Sequence, residues 1–111
     1  MKLSYEDHDT ITVLTVSGEL TQDQTDPFRR SVQDRFEAGI RHVVLNMEHL
    51  TYVDSVGLEA LLWAMDEAAA RGGHLRLVGP DPTVRTILHV TRLERRFNIH
   101  DTIESAAKSL R

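Results

Sequence analysis

Alternating apolar and polar positions predict two strands at the start of the chain. β-branched residues fill most of positions 11–16 and alternate along the segment, which is typical of a strand with one buried face. Leu3 and Tyr5 alternate in the same way before it. The polar residues Asp7, His8 and Asp9 separate the two segments, so the sequence predicts a β-hairpin.

The spacing of apolar residues then becomes helical. Asp26 followed by Pro27 is typical of an N-cap and the first position of a helix, and Gly39 is suited to end one. One helix is therefore predicted between them, although its start can lie a few residues earlier. The residues predicted to face the core are Phe28, Val32 and Phe36.

A buried strand and a second helix lie on either side of Ser55. Residues 42–47 form a near-continuous apolar run, as expected for a strand covered on both faces. After Ser55, apolar residues return at helical spacing until Gly72 and Gly73 end the helix. The residues predicted to face the core are Leu58, Leu61, Leu62, Met65 and Ala69.

The last third of the chain repeats this alternation of strand and helix. Leu75, Leu77 and Val78 predict a strand, and residues 97–99 predict a short one. Asp81 and Pro82 open a helix between them, with Val84, Ile87 and Leu88 inward, and residues 101–104 resemble the capping box of a last helix. The predicted class is therefore α/β, with a mixed sheet and helices.

Composition narrows the kind of protein. The 111 residues suit one domain, 1–111, and the 41% hydrophobic and 27% charged residues indicate a globular chain. The net charge is −4 without a basic stripe, so nucleic acid is not an expected partner. No run is long enough to cross a membrane, and residues 1–7 lack an apolar signal core. We expect a cytoplasmic protein without membrane insertion.

Ser55 is the candidate for chemistry, because it lies where the buried strand gives way to a helix. Its hydroxyl can cap the helix by accepting a bond from a free N–H of the first turn. The same hydroxyl is a place where a phosphate can be added. Phosphorylation would add a charge of roughly −1.5 to −2 at a position beside Asp54 and the positive end of a helix dipole.

The segments around Ser55 resemble the STAS family, named for sulfate transporters and anti-sigma factor antagonists. The specific segment is Asp54-Ser55-Val56-Gly57-Leu58, and the resemblance extends over nearly the whole chain. It implies a single STAS-type domain with a mixed four- to five-stranded sheet and about four helices. The other matching segments are Gly18-Glu19-Leu20, residues 43–47, residues 50–53, Gly72-Gly73, residues 75–79 and residues 97–99.

The resemblance also implies a function. In the similar anti-sigma factor antagonists, the serine after the aspartate is phosphorylated by the anti-sigma factor, which is a serine kinase. Ser55 would be that phosphoacceptor, and a phosphatase would act on phospho-Ser55. Docking of the unphosphorylated protein would release a sigma factor. The alternatives are a phosphorylation-independent scaffold or accessory subunit of a transporter, and a small hydrolase that uses Ser55.

Four residues are predicted to support the phosphorylation loop. Asp54 orients the serine hydroxyl, repels a phosphate once it is added, or bonds local backbone N–H groups as a turn residue. Gly57 permits close approach of a partner or of neighbouring backbone, or is a tolerated helix glycine. Asn46 is expected to hold the loop toward Ser55 or to be structural. Thr21 stands where relatives often have aspartate, and either bonds across the site or lies in a surface loop.

A partner surface is predicted on the helix after Ser55. Val56, Ala60 and Trp63 follow each other at spacings of four and three, opposite the predicted core face. Together with Leu58 they are assigned to partner binding, since tryptophan is enriched at interface hot spots. The alternative is that the helix beginning near Pro27 covers this stripe within the monomer.

Other chemistries find no support in the sequence. None of the histidines stands in a local pair with the spacing of metal ligands, so no metal site is expected. The motif G-x-S-x-G and the phosphate-binding loops G-x-x-x-x-G-K and G-x-G-x-x-G do not occur. No cofactor and no catalytic residue is predicted, and the chain is expected to receive a phosphate without binding ATP.

Overall fold

The computed structural model describes all residues, 1–111, as six strands and four α-helices around one sheet. The strands are β1 Lys2–His8, β2 Ile11–Leu20, β3 His42–Asn46, β4 Leu50–Val53, β5 Leu75–Val78 and β6 Asn98–His100. The helices are α1 Thr25–Glu37, α2 Ser55–Ala70, α3 Pro82–Val90 and α4 Ile103–Lys108, with short 3-10 turns at Gln22–Gln24 and Leu93–Arg95. The predicted α/β class with four helices is confirmed.

The sheet is mixed and has the order β1-β2-β3-β5-β6, with β4 paired to β2 outside this path. β1 runs antiparallel to β2 through the predicted hairpin, whereas the other pairings are parallel. The hairpin turn is at Asp9 and Thr10, and Asp9 adopts a φ of 56° that aspartate tolerates better than most residues. With six strands, the sheet has one strand more than the upper limit of the predicted four to five.

β4 is the strand that the sequence analysis missed. It pairs with Gly18–Leu20, beyond the part of β2 that pairs with β3, and a bulge lies between Gly18 and Glu19. Gly18 has a φ of 94°, a conformation that favours glycine. Its N–H donates to the His49 carbonyl at 2.9 Å, and its own carbonyl accepts from Thr51 Oγ1 at 3.1 Å. These bonds fix the end of β2 beside the segment that leads into Ser55.

The two faces of the sheet are covered unequally. α1, α2 and α3 contribute to the main core on one face, whereas α4 packs on the other through Ala106. Side chains of β3 alternate between them, with Val43 and Leu45 in the main core and Val44 against α4. The predicted burial of this strand on both faces is confirmed.

The helix starts differ from prediction at two places, by two residues in α1 and by one in α4. α1 begins at Thr25, whose hydroxyl donates to the Gln22 carbonyl at 3.0 Å, so Asp26 lies in the first turn instead of capping it. α4 is capped by Thr102 and not by Asp101. α3 is capped by Asp81 as predicted. The predicted core positions of α1 are confirmed: Phe28, Val32 and Phe36.

The buried face of α2 agrees only in part with the predicted one. Leu58 and Leu61 are buried as predicted, Leu62 and Met65 are half-buried and pack against the main core, and the prediction was wrong for Ala69, which is exposed. Small alanines occupy the side that meets the sheet and α1, because they allow the closest approach of the backbones. The buried residues of α2 are Gly57, Leu58, Ala60, Leu61, Ala64 and Ala68.

Candidate functional site

The first turn of α2 lies directly on the end of β2, and Gly57 is the point of contact. A Cβ added at Gly57 would be 2.2 Å from the Leu20 carbonyl oxygen and 2.9 Å from Val53 Cγ1. Only glycine fits here without a shift of the backbone. The close approach that the sequence predicted for Gly57 is therefore to neighbouring backbone of the same chain.

Asp54 is the N-cap of α2 and joins two loops. Its Oδ1 accepts from the Gly57 N–H at 2.7 Å, and its Oδ2 accepts from the Gln22 N–H at 2.9 Å. The Asp54 N–H donates to the Leu20 carbonyl at 3.2 Å. The carboxylate thus holds the start of α2 against the turn that follows β2. This agrees with the interpretation of Asp54 as a residue that bonds local backbone.

Ser55 is the first residue of α2, and its hydroxyl is left free. Because Asp54 provides the cap, the expectation that Ser55 caps the helix is wrong. Ser55 is exposed, and its Oγ makes no hydrogen bond within the protein. The hydroxyl therefore faces solvent at the positive end of a 16-residue helix.

The amides of the first turn are not all occupied. In a helix, the first N–H groups have no intrahelical carbonyl to bond. Asp54 takes the N–H of Gly57, which leaves those of Ser55 and Val56 available. No acidic side chain lies in the first turn of α2. An anionic group on Ser55 would find partial positive charge there, while the adjacent Asp54 carboxylate would oppose it.

Thr21 and Asn46 do not reach Ser55. Thr21 begins the 3-10 turn, and its carbonyl accepts from the Gln24 N–H at 2.8 Å, but its side chain makes no bond across the site. The bond across the site comes from the backbone of Gln22 instead. Asn46 Oδ1 accepts from the Glu48 N–H at 3.2 Å, and its Nδ2 donates to Thr15 Oγ1 at 3.5 Å. The prediction that Asn46 holds the Ser55 loop is therefore wrong, and its role here is structural.

The predicted partner stripe on α2 is largely buried within the monomer. Ala60 has no exposed surface and Leu58 is 7% exposed, so neither presents a side chain to a partner. Trp63 packs against the main core, and the Arg29 guanidinium lies 5.1 Å from the centroid of its ring. Val56 is half-buried. The alternative, that the helix near Pro27 covers this stripe, is supported at Trp63 by its contact with Arg29 of α1, and Ala60 is buried within the monomer.

Other residues form the exposed surface that begins at Ser55. Glu59 is exposed and Leu62 is half-buried, and they follow Ser55 at spacings of four and three along α2. Tyr52 of β4 is 43% exposed, and it is one of three large hydrophobic residues that are exposed, with Tyr5 and Val90. Sequence reasoning missed Tyr52 because β4 was not recognised as a strand, so no face of the sheet was assigned to this residue.

No group of three or more histidine, aspartate or glutamate side chains is arranged to hold a metal ion. None of the helices combines the length and apolar character needed to cross a membrane.

Comparison with known proteins agrees with this geometry. The sequence profile described as the STAS domain matches residues 2–106. The chain belongs to the STAS family. The resemblance noted from the Asp54-Ser55-Val56-Gly57-Leu58 segment is thereby confirmed.

Its relatives include proteins named as anti-sigma factor antagonists. A candidate anti-sigma factor antagonist of Thermotoga maritima is 28% identical, covering 96% of each chain. A crystal structure of a candidate anti-sigma factor antagonist from that organism has a TM-score of 0.89 at 26% identity, covering 97% of this chain and 93% of that one. The phosphorylated form of the Bacillus cell fate determinant SpoIIAA has a TM-score of 0.75 at 25% identity, covering 99% and 100%.

Proposed function

We propose that this protein is an anti-sigma factor antagonist, switched by phosphorylation of Ser55. The observation that carries the proposal is the free, exposed hydroxyl of Ser55 at the first position of α2, beside a cap that Asp54 already provides. A kinase can take this hydroxyl without breaking any bond of the folded protein. A relative of the same fold is named as existing in a phosphorylated form, which supports the choice of chemistry.

The unphosphorylated protein would bind an anti-sigma factor serine kinase and so release a sigma factor. The surface around Ser55 offers Tyr52, Val56 and Leu62 as apolar contacts, with Trp63 at its edge. Phosphorylation weakens docking because a dianion must then lose its hydration in an interface fitted to a neutral hydroxyl. A phosphatase restores the docking form. These events belong in the cytoplasm, where sigma factors and ATP are found.

Catalysis is not part of this proposal. The Ser55 hydroxyl contacts no imidazole, and the neighbouring Asp54 carboxylate is bonded to two backbone N–H groups. A hydrolase that used Ser55 would need a base within hydrogen-bond distance of the hydroxyl. The serine therefore acts as a substrate for another enzyme.

Phosphopeptide mapping with the cognate kinase and Mg-ATP tests the site. We expect the label on Ser55 and none on the Ser55→Ala variant. Thr51→Ala is the matched control, because Thr51 is an exposed hydroxyl nearby that is already bonded to Gly18. Label on Thr51 or Thr21 with Ser55 unmodified would contradict the assignment.

Calorimetry with the same kinase tests the switch. Ser55→Asp is expected to bind at least about tenfold more weakly than the unmodified protein, a loss of about 1.4 kcal/mol or more, and Ser55→Ala to bind normally. Equal affinities of the two variants would show that charge at this position is not the switch, and would favour a scaffold that acts without phosphorylation.

A further inference from the structure

A surface groove runs along α3 and ends at the turn that follows it. At the C-terminal end of α3, a cavity of about 560 Å³ is bordered by His89, Val90, Arg92, Glu94 and Arg95. A second cavity of about 410 Å³ shares His89 and Glu94 and continues past Arg85 to Pro82. α3 has 9 residues, so the groove is about 13 Å long at 1.5 Å per residue. That length suits about four residues of an extended peptide.

The groove is basic on a chain whose net charge is −4. Arg85, Arg92 and Arg95 border it, and the single carboxylate among the lining residues is Glu94. Arg85 already forms an ion pair, because its guanidinium lies 3.7 Å from the Asp101 carboxylate. Glu94 Oε1 already lies 2.7 Å from His89 Nδ1, and Arg92 and Arg95 form no ion pair within the protein. Two cations are therefore available at one end of the groove.

An exposed apolar side chain accompanies the two arginines at this end. Val90 is 68% exposed, the most exposed of the large hydrophobic residues. Arg92 has a φ of 62° because it follows the C-cap of α3 and ends the helix in the left-handed conformation common at that position.

The groove end and Ser55 lie at opposite ends of the sheet. β4 and β5 run parallel to β2, so the start of α2 and the start of α3 lie at the same end. α3 then carries the chain back to the start of β6, where Arg92 and Arg95 lie. A ligand bound there would leave the Ser55 hydroxyl open.

We propose that the end of this groove formed by Val90, Arg92 and Arg95 binds an acidic peptide segment with apolar residues, supplied by a protein partner, at the opposite end of the sheet from Ser55. The arginines would bind its carboxylates and Val90 would contact an apolar side chain. A small inorganic anion fits less well, because the lining charges are spread along the groove on exposed side chains. Nucleic acid fits less well because no Phe, Tyr or Trp borders the groove to stack on bases. The proposal does not depend on phosphorylation of Ser55.

Titration with a defined peptide tests this inference. The probe is a fluorescein-labelled, end-capped hexapeptide of alternating Asp, Leu and Glu residues, compared with its Asn and Gln counterpart. We expect the acidic peptide to bind, to weaken as salt is raised, and to shift the NMR signals of residues 85–96 in the unmodified protein. The neutral counterpart is expected not to bind.

Charge reversal separates the groove from general electrostatics. The double variant Arg92→Glu with Arg95→Glu is expected to weaken peptide binding at least tenfold. The control, Arg30→Glu with Arg111→Glu, makes the same change in net charge at exposed arginines outside the groove and is expected to bind within twofold of the unmodified protein. Equal losses in both variants, NMR shifts elsewhere, or stronger binding of single-stranded DNA or phosphatidylserine vesicles than of the peptide would overturn the proposal.

Discussion

At the scale of single residues, Gly57 sets how closely α2 can approach β2. The Gly57→Ala variant places a Cβ 2.2 Å from the Leu20 carbonyl, which is backbone and cannot swing aside. The first turn of α2 must move, and alanine's better helix propensity, about 1 kcal/mol, cannot offset this. We expect a loss of about 2–3 kcal/mol in the free energy of unfolding, measured by urea denaturation.

Ser55→Ala is the control for that substitution. It lies two positions away in the same turn, where the side chain is exposed and unbonded, so its effect is expected to stay within about 0.5 kcal/mol. If Gly57→Ala were as stable as Ser55→Ala, the close contact with Leu20 would not be what holds α2 in place.

The residues of the site were predictable to different degrees. From the motif, Ser55 could be located and a close backbone approach at Gly57 could be predicted. The motif did not decide which residue caps the helix. Asp54 and Ser55 are both good caps, and the choice depends on where β4 ends, a tertiary feature. Asn46 was placed toward Ser55 from its position in the chain, but it alternates to the α4 side of the sheet with Val44.

At the scale of elements, the contact between α1 and α2 depends in part on Arg29 and Trp63. The guanidinium lies 5.1 Å from the ring centroid and shields one side of a half-buried indole. We expect Arg29→Ala to increase quenching of Trp63 fluorescence by acrylamide, to red-shift its emission, and to cost about 0.5–1 kcal/mol of stability. The neighbouring Arg30→Ala, which makes no such contact, should change none of these. Identical quenching in both variants would mean that Arg29 does not cover the ring.

Sequence periodicity recovered the long elements but failed where an element is short or apolar on several sides. β4 has only 4 residues, and its two middle residues, Thr51 and Tyr52, are both exposed, so no alternation of buried and exposed positions marks it. α2 carries apolar residues nearly all round, and its buried side is decided by the alanines that let α1 and the sheet come close. That choice reflects the fit between elements, which the periodicity of one helix does not contain.

At the scale of the whole molecule, the beginnings of the parallel strands bring basic groups together. His42 begins β3 and His74 precedes β5, and their rings stack with centroids 5.4 Å apart. The His42 Nδ1 accepts from the His74 N–H at 3.2 Å, so the bond requires this nitrogen to be unprotonated. Burial, followed by the charges of His74, Arg76 and Arg41, lowers the pKa of His42 from its ordinary value of 6.5.

This arrangement predicts that acid destabilises the fold through His42. The unfolded chain takes up a proton at His42 near pH 6.5, whereas the folded chain does so only at lower pH. Stability from neutral His42 is therefore complete above pH 6.5 and is lost progressively as the pH falls toward the pKa of the folded state. His42→Asn keeps an acceptor near Nδ1 but does not titrate, so its urea midpoint should fall less than that of the unmodified protein between about pH 7.5 and pH 5.5. His49→Asn, at an exposed histidine whose side chain is unbonded, serves as the control and should follow the unmodified protein. A loss at acid pH that is the same in all three proteins would exclude His42 as its source and point to the carboxylates instead.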